Sequence, residues 1–429
     1  MDTEMLMKIQ QYKEWFIEHQ VSDKQIYLIG FFIVVALIIV LISKKYKVPI
    51  VVGYVFLGIL LSVEVIDALP FLKLTYKAWY AYIINSFEYL TQIALAFIAF
   101  TIGSELSVKL FKKLGKSITY IVLIQGLGAF FMVFIGVLLI GYEMYLALIL
   151  GSIASATAPA ATVMVIREFN AKGPVTSMIM AVVGLDDALA LIIFSLIKPV
   201  AYNQFTGQKS LDFYQMVLAP LIEVIGSIII GLFIGYLTVK LMEGLEDKTK
   251  KVLTLISTIA GGLAIAISLG LSPLITNMSV GFAYRNFARK NLDIADYLDT
   301  LTIPLYAMFF ILAGTEIRFS SVNTSFLILA SVYTLMRLSG KIGGAFLGGV
   351  LAHTSENIKK YVGLGLLPQS GVAIALAYTI QKEFTQDPKI GLLVFNILLF
   401  TAAFTEILGS FATKYALNKS NELNKSDTA

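Results

Sequence analysis

Long apolar runs recur along this chain, and short polar stretches separate them. A helix that crosses a bilayer needs about 20 mostly apolar residues. Most of the runs reach this length, while the second and ninth are shorter and fit tilted or partly re-entrant helices. The pattern predicts an all-α membrane protein with about 13 transmembrane helices. The predicted spans are 26–43, 48–63, 86–104, 117–141, 144–166, 174–198, 214–240, 250–269, 271–286, 297–315, 322–351, 359–381 and 388–416.

The composition agrees with a membrane protein. Only 14% of the residues are charged and 58% are hydrophobic, whereas a soluble chain normally contains about 25% charged residues. The chain has no cysteine and only two histidines, His19 and His353. Disulfides, thiolate metal sites and a histidine-rich metal site are therefore excluded.

The same residues argue against an enzyme and against a nucleic-acid partner. An intramembrane metalloprotease needs a His-Glu-x-x-His ligand set, and a serine protease needs a Ser–His pair at membrane depth. His19 lies in the polar N-terminal segment and His353 in a predicted loop. The net charge of +5 is spread over short clusters rather than a basic stripe, which argues against nucleic acid. The sequence predicts no enzyme and no cofactor.

Lys and Arg predict the orientation of the spans. They are about twice as frequent in the loops on one side as on the other. Because basic loops stay in the cytoplasm, the N-terminus is predicted to lie outside and the C-terminus inside the inner membrane of the cell. The expected organisation is a polar segment 1–25, a membrane domain 26–416 and a short cytoplasmic tail 417–429.

Three correspondences predict an internal repeat. The third span ends in Gly103-Ser104-Glu105-Leu106 and the tenth in Gly314-Thr315-Glu316-Ile317. Pro49 and Gly53 of the second span have rough counterparts in Pro273 and Gly281 of the ninth, and the fifth and twelfth spans are both interrupted by proline. Each pair is seven spans apart, so the two copies run in opposite directions through the bilayer. An inverted-topology repeat is a common plan of secondary transporters.

The two interrupted spans predict a site at membrane depth. Pro159 stands among small and polar residues of the fifth span, and Pro368 stands between glycines of the twelfth. Proline removes a backbone donor and clashes with the preceding turn, and the freed carbonyls are tolerated in a membrane where they line a cavity. Two broken helices at matching repeat positions indicate an ion site near the middle of the bilayer.

Asp186 and Asp187 lie near the centre of the sixth span. A charge at this depth costs about 2.5–3.5 kcal/mol on insertion scales, and ionisable residues there are functional by default. Carboxylate oxygens are hard ligands for an alkali cation, and a carboxyl group holds either a proton or a cation. This competition is itself an exchange mechanism.

Arg337 and Lys341 are the basic residues at the depth of a predicted span. They are four positions apart, so they share one face of the eleventh helix. Arg337 is expected to neutralise Asp186 when no cation is bound. Lys341 is the alternative partner, or holds a helix C-terminal half-charge, or extends to the membrane surface.

Four further carboxylates lie within or at the ends of spans. Glu223 has no evident partner and faces either a dimer contact or a water-filled cavity, and Glu406 is a candidate helix cap. Glu105 and Glu316 end their spans, where pairing with nearby Lys or Arg is expected.

These motifs together resemble the monovalent cation:proton antiporters, particularly the bacterial sodium/proton exchangers of the second branch. The resemblance covers nearly the whole chain. It rests on Val48-Pro-Ile-Val-Val-Gly-Tyr54, Phe100-Thr-Ile-Gly-Ser-Glu-Leu106, Thr157-Ala-Pro159, Asp186-Asp187, Met336-Arg337-Leu-Ser-Gly340 and Leu367-Pro-Gln-Ser-Gly371.

The resemblance implies a homodimer that works by alternating access. Two broken helices would cross in a core of about 86–198 and 297–416, which moves against a dimerisation domain of about 26–63 and 214–286. Asp187, the second aspartate, would carry cation and proton. The candidate site comprises, besides the two aspartates, Ser155, Thr157, Pro159, Arg337, Lys341, Pro368 and Gln369.

One position departs from the family pattern. Members with paired aspartates usually have lysine at the basic position and are electrogenic, whereas this chain has Arg337 there. Arginine does not release a proton at ordinary pH. The resemblance therefore leaves the stoichiometry open, unless Lys341 substitutes for the missing lysine.

The predicted activity is exchange of Na⁺, or alternatively Li⁺, against H⁺, which would serve pH homeostasis. The rival interpretation is a K⁺/H⁺ antiporter or a gated K⁺ efflux protein of the same fold. Such efflux proteins often carry a nucleotide-binding domain and a Gln-Asp pair. The short tail and the Asp186-Asp187 pair favour the antiporter.

Overall fold

The computed structural model describes residues 22–46, 50–69, 74–109, 115–206, 218–288, 295–315, 323–369, 371–384 and 386–423. The described backbone forms helices and no strands. Most of the polar segment 1–25, the end of the tail and Glu316 lie outside the described residues. The elements in chain order are α1 (Ser22–Tyr46), α2 (Ile50–Leu60), α3 (Val63–Ala68), α4 (Leu74–Ser86), α5 (Glu88–Glu105), α6 (Lys116–Leu139), α7 (Met144–Ala154), α8 (Pro159–Glu168), α9 (Pro174–Thr206), α10 (Ala219–Glu243), α11 (Lys248–Ser268), α12 (Pro273–Phe287), α13 (Ala295–Thr315), α14 (Thr324–Leu351), α15 (Glu356–Tyr361), a 3₁₀ helix (Val362–Leu366), α16 (Gly371–Glu383) and α17 (Pro388–Lys419).

Each apolar run that the sequence marks as a span overlaps at least one of these helices. Among the described residues, seven helices are long and apolar enough to cross a membrane, and a bent pair of helices makes an eighth. Three more apolar helices are shorter, Tyr27–Ile42, Met144–Ala154 and Thr302–Thr315. The prediction of an all-helical protein with many spans is confirmed.

The chain divides into two compact units by its internal contacts. One unit contains Met1–Ala94 and Thr300–Phe319, and the other contains Leu95–Asp299 and Ser320–Ala429. The second unit holds both interrupted helices and α9. It also holds α10 to α12, which the resemblance assigns to a dimerisation domain. The predicted core and dimerisation domains are defined by relative motion, whereas these two units are defined by packing. The predicted domain division therefore stays a prediction.

The inverted repeat is visible in two equivalent glycine contacts between helices, one inside each unit. A Cβ on Gly58 of α2 would collide with the backbone at Ile311 and Gly314 of α13. A Cβ on Gly281 of α12 would collide with the backbone at Phe100 and Ser104 of α5. The second span thus contacts the tenth as the ninth contacts the third. The structural counterpart of Gly281 is therefore Gly58, whereas the sequence suggested Gly53.

A glycine stripe joins α6 to α14. A Cβ on Gly340, Gly344 or Gly348 would lie only 2.5–2.7 Å from a Cα atom of α6. Small residues every four positions let two membrane helices approach at backbone distance. The α6 partners are, in order, Ala129, Gln125 and Ile121. This packing places the buried face of α14, which carries Arg337 and Lys341, directly against α6.

Both predicted breaks are present, and they touch. Helix α7 ends at Ala154, and α8 begins at Pro159, where proline suits the first helical position. The second break separates the 3₁₀ helix from α16, and the chain bends there by 46°. The Ala158 amide donates a hydrogen bond to the Pro368 carbonyl at 3.0 Å. The two discontinuous helices therefore cross at their breaks.

Candidate ion-binding site

The two aspartates are carried by α9, a helix of 33 residues. Its first turn is capped by Glu422, which follows α17. The Glu422 carboxylate accepts hydrogen bonds from the Val175 amide at 2.8 Å, and from the amide and hydroxyl of Thr176 at 2.7 Å each. A carboxylate at this position satisfies free N–H groups and complements the positive end of the helix dipole. The end of the chain thus stabilises the helix that carries the site.

Asp186 lies at the crossing of the broken helices and is fully buried. Its Oδ2 atom is 2.9 Å from the Lys341 ammonium and accepts a hydrogen bond from the Thr157 hydroxyl at 2.6 Å. Its Oδ1 atom accepts a hydrogen bond from the Gln125 amide. A buried ion pair survives only where its remaining polar atoms are also satisfied, and both carboxylate oxygens meet this condition.

The Lys341 ammonium is equally buried and does not extend to the membrane surface. It lies 2.7 Å from Oε1 of Gln125, 2.6 Å from the Ser155 carbonyl, 2.8 Å from the Thr157 hydroxyl and 2.9 Å from Asp186. Ser155 and Thr157 belong to the first break. Two candidates of the sequence analysis are thereby brought to the same ammonium group.

Arg337 contacts backbone carbonyls rather than the Asp186 carboxylate that the sequence analysis expected it to neutralise. Its guanidinium donates hydrogen bonds to four backbone carbonyls of the two breaks, at Ala154 (3.1 Å), Ala156 (2.7 Å), Leu367 (2.6 Å) and Pro368 (3.3 Å). Carbonyls at helix ends lack partners and carry partial negative charge. A planar fork with five donors satisfies several of them at once. The ion pair with Asp186, expected for Arg337, is formed by Lys341 instead.

Side chains of both discontinuous helices form hydrogen bonds from one helix to the other near the breaks. The Gln369 amide donates a hydrogen bond to the Ile153 carbonyl at 3.1 Å and contacts the Tyr333 hydroxyl. The Thr162 hydroxyl donates to the Gly365 carbonyl at 2.8 Å. On α17, Gly409 packs against Pro368, where a Cβ would have no room.

The remaining candidate residues are carboxylates on α5, α9, α10 and α17. Asp187 is buried, with 6% of its surface exposed, and points about 100° away from Asp186 around α9. Glu406 is buried on α17, three residues before Gly409. Glu223 is partly buried on α10, outside the network described above, and Glu105 ends α5.

Three residues of this network were missed by the sequence analysis, namely Gln125, Thr162 and Tyr333. Gln125 carried a usable signal, since it is a single amide in the middle of the fourth apolar span, where an unpaired polar group is expensive. Thr162 and Tyr333 carried none, because Thr and Tyr are tolerated at many positions in membrane helices.

Comparison with known proteins identifies the family. The family model described as sodium/hydrogen exchanger, transmembrane, matches residues 32–419. The chain belongs to the sodium/hydrogen exchanger family. As a member of this family it is a multi-pass membrane transporter and not an enzyme, as the sequence predicted, and ions are substrates of the family rather than cofactors.

Individual relatives agree with this assignment. The Na(+)/H(+) antiporter of Enterococcus hirae is 24% identical over 386 residues, which cover 88% of this chain and 95% of that protein. The Na(+)/H(+) antiporter ApNhaP of Aphanothece halophytica is 25% identical over 278 residues, covering 61% of this chain and 51% of that protein. The structure is similar to that of the sodium proton antiporter MjNhaP1 from Methanocaldococcus jannaschii, with a TM-score of 0.73 at 18% identity, covering 93% of this chain and 99% of that one. This last similarity shows the fold.

Proposed function

We propose that this exchanger transports Na⁺ against H⁺ by alternating access, and that the two ions compete for the carboxylates of Asp186 and Asp187. Family membership and the names of the relatives support the pair of ions. The main observation that supports this site is the buried ion pair of Asp186 and Lys341 at the point where the two breaks cross.

Each residue has a defined part in this mechanism. Asp187 takes up the cation from one side and a proton from the other, while Lys341 neutralises Asp186 whenever the cation has left. Thr157 and the Ser155 carbonyl supply neutral oxygens beside the carboxylate. Arg337, Pro159, Pro368 and Gln369 maintain the crossing of the broken helices and keep their free carbonyls satisfied.

We also propose electrogenic exchange, with two protons carried for each cation. The stoichiometry was left open because Arg337, at the basic position of the family pattern, carries a guanidinium that does not release a proton. The geometry that pairs Lys341 with Asp186 supports Lys341 as the titratable lysine of the site. A lysine ammonium in low-dielectric surroundings gives up its proton far more readily than a guanidinium.

The wider context of the proposal comes from the sequence. Excess basic residues in alternate loops support a protein of the cell membrane with its N-terminus outside and its C-terminus in the cytoplasm. The resemblance to antiporters supports a homodimer and a role in pH homeostasis. Lithium is expected to replace sodium as a substrate.

The function is tested by reconstituting the purified protein in proteoliposomes with an imposed pH gradient and a lumenal pH dye. Addition of NaCl or LiCl should collapse the gradient, and the rate should change when a potential clamp is released. A response to KCl alone would replace the proposal with K⁺/H⁺ exchange. No response to any of the three cations would contradict antiport altogether.

The carrier role of Asp187 is tested with Asp187→Asn. This variant keeps the shape of the side chain and removes its charge, so Na⁺-driven proton release should fall to the level of empty liposomes. Glu356→Gln, which removes an exposed carboxylate paired with Lys359, is the control and should exchange normally. Exchange retained in correctly inserted Asp187→Asn protein would exclude Asp187 as the carrier.

A further inference from the structure

The Lys341 ammonium lies in a small cage of oxygen atoms. Four oxygens from three separate parts of the fold approach it to within 2.6–2.9 Å, and the residues that supply them are fully buried or nearly so. One is a carboxylate oxygen of Asp186, and the other three are neutral. The neutral oxygens belong to Gln125, Ser155 and Thr157. Hard oxygen ligands of this kind are what dehydrated alkali cations require.

The charge of the cage matches a monovalent ion. It contributes one negative charge, and an ammonium group neutralises that charge completely. A second cation in the same cage would meet the ammonium at close range, with strong repulsion in surroundings of low dielectric constant. The cage therefore holds either the ammonium or one alkali cation, and not both.

The orientation of Gln125 is determined by its own hydrogen bonds. Its Nε2 donates to the Val122 carbonyl at 2.9 Å and to Oδ1 of Asp186. Both acceptors lie on the nitrogen side, so Oε1 has to face the ammonium. The glycine stripe of α14 brings the backbone of α6 close enough for this contact, since Gly344 packs directly on the Cα of Gln125.

We propose that Gln125 is a ligand of the transported cation, through the same Oε1 atom that contacts the Lys341 ammonium in this structure. The inference rests on the proposed function, in which Lys341 and the cation alternate at Asp186, and adds to it a ligand on α6. When lysine withdraws from the cage, Oε1 of Gln125 is left facing the carboxylate and the break, where it completes the shell of the incoming ion.

The alternative is that Gln125 only positions Lys341. A double-mutant cycle separates the two roles, because Lys341→Met removes the competitor and anything that Gln125 does through it. Sodium affinity is measured from the rise of the thermal unfolding midpoint as NaCl replaces choline chloride. In the Lys341→Met background, adding Gln125→Leu should weaken sodium binding about tenfold, as expected for the loss of one bond to a charged group.

Asn277→Leu is the matched control in the same background. Asn277 is also a fully buried amide, and its Nδ2 hydrogen-bonds within its own helix, to the Pro273 carbonyl at 3.1 Å. This substitution should leave sodium affinity unchanged. Equal sodium affinity with and without Gln125→Leu would overturn the proposal, because Gln125 would then act only through Lys341.

A second measurement serves if Lys341→Met does not fold. In the otherwise native protein, Gln125→Leu should raise the KM for Na⁺ on the alkaline plateau of activity, where protons compete least. A lowered or unchanged KM would overturn the proposal, since loosening the ion pair alone favours sodium. Failure of the proposed function is seen separately, as absence of sodium-driven proton release in the unmodified protein.

Discussion

Two basic side chains on one face of α14 have opposite surroundings. Arg337 and Lys341 are one helical turn apart, and both are fully buried. Arg337 contacts the neutral carbonyls of the two breaks, while Lys341 contacts the carboxylate of Asp186. The difference shows that the role of a buried cation depends on what the opposing elements present to it, and not on its depth or its helix.

The chemistry of the two groups suits these surroundings. A guanidinium has five donors in a fixed plane and stays charged, so it is suited to a permanent link between several carbonyls. An ammonium has three donors and can lose its proton, so it can leave a carboxylate to another cation. In the proposed mechanism, Arg337 is therefore the structural member of the pair, and Lys341 is the exchangeable one.

The largest effect on stability is expected for Lys341→Ala. Removal of one partner leaves the buried Asp186 carboxylate uncompensated, which typically costs about 3–5 kcal/mol of unfolding free energy. Sodium should restore part of this loss because it replaces the missing positive charge. Thermal unfolding of the purified protein in NaCl and in choline chloride measures both effects. A loss of the same size in the two salts would contradict the exchangeable role of Lys341.

A smaller effect is expected for Arg337→Ala. A hydrogen bond to a charged group contributes roughly 1.5–3 kcal/mol, but the cost of removing a guanidinium from water, several kcal/mol per buried ion, offsets most of the total for four such bonds. The loss should be equal in NaCl and choline chloride, because the carbonyls are present in both conditions. Arg337→Lys should recover little, since an ammonium cannot reproduce the planar fork.

The sequence alone led to a different expectation for Arg337→Ala, namely a larger loss of stability in sodium-free than in sodium-bound protein. That outcome would restore the pair of Arg337 with Asp186 and would contradict the contacts described here. Thermal unfolding of the Lys341→Ala and Arg337→Ala variants in the two salts therefore tests whether the two basic residues have different roles.

The smallest effect is expected for Glu422→Gln at the start of α9. The amide keeps one acceptor for the Val175 and Thr176 donors but loses the charge at the helix terminus. Loss of a helix cap costs about 1 kcal/mol, and no dependence on sodium is expected because this carboxylate only caps. Glu246→Gln, at an exposed position, is the control for thermal unfolding. A sodium-dependent change in Glu422→Gln would show that the cap is coupled to the ion site.

Much of the fold could be predicted because its signals are local. Apolar runs of bilayer length predicted the spans, and Pro159 and Pro368 predicted the breaks through the loss of a backbone donor. The high cost of charge in a membrane identified Asp186 and Asp187 as the centre of the candidate site. Each of these inferences needs only residues that are neighbours in the chain.

The partners inside the site could not be predicted in this way. Helical periodicity places Arg337 and Lys341 on the same face, so the sequence could not decide which of them reaches Asp186, 155 positions from Lys341. Gln125, 216 positions from Lys341, meets it only because a glycine stripe brings α6 and α14 together at backbone distance. The sequence by itself therefore determined the spans, the breaks and the buried charges, since these follow from local chain physics. Only the tertiary structure decided which charge meets which oxygen, because that choice depends on how distant helices cross.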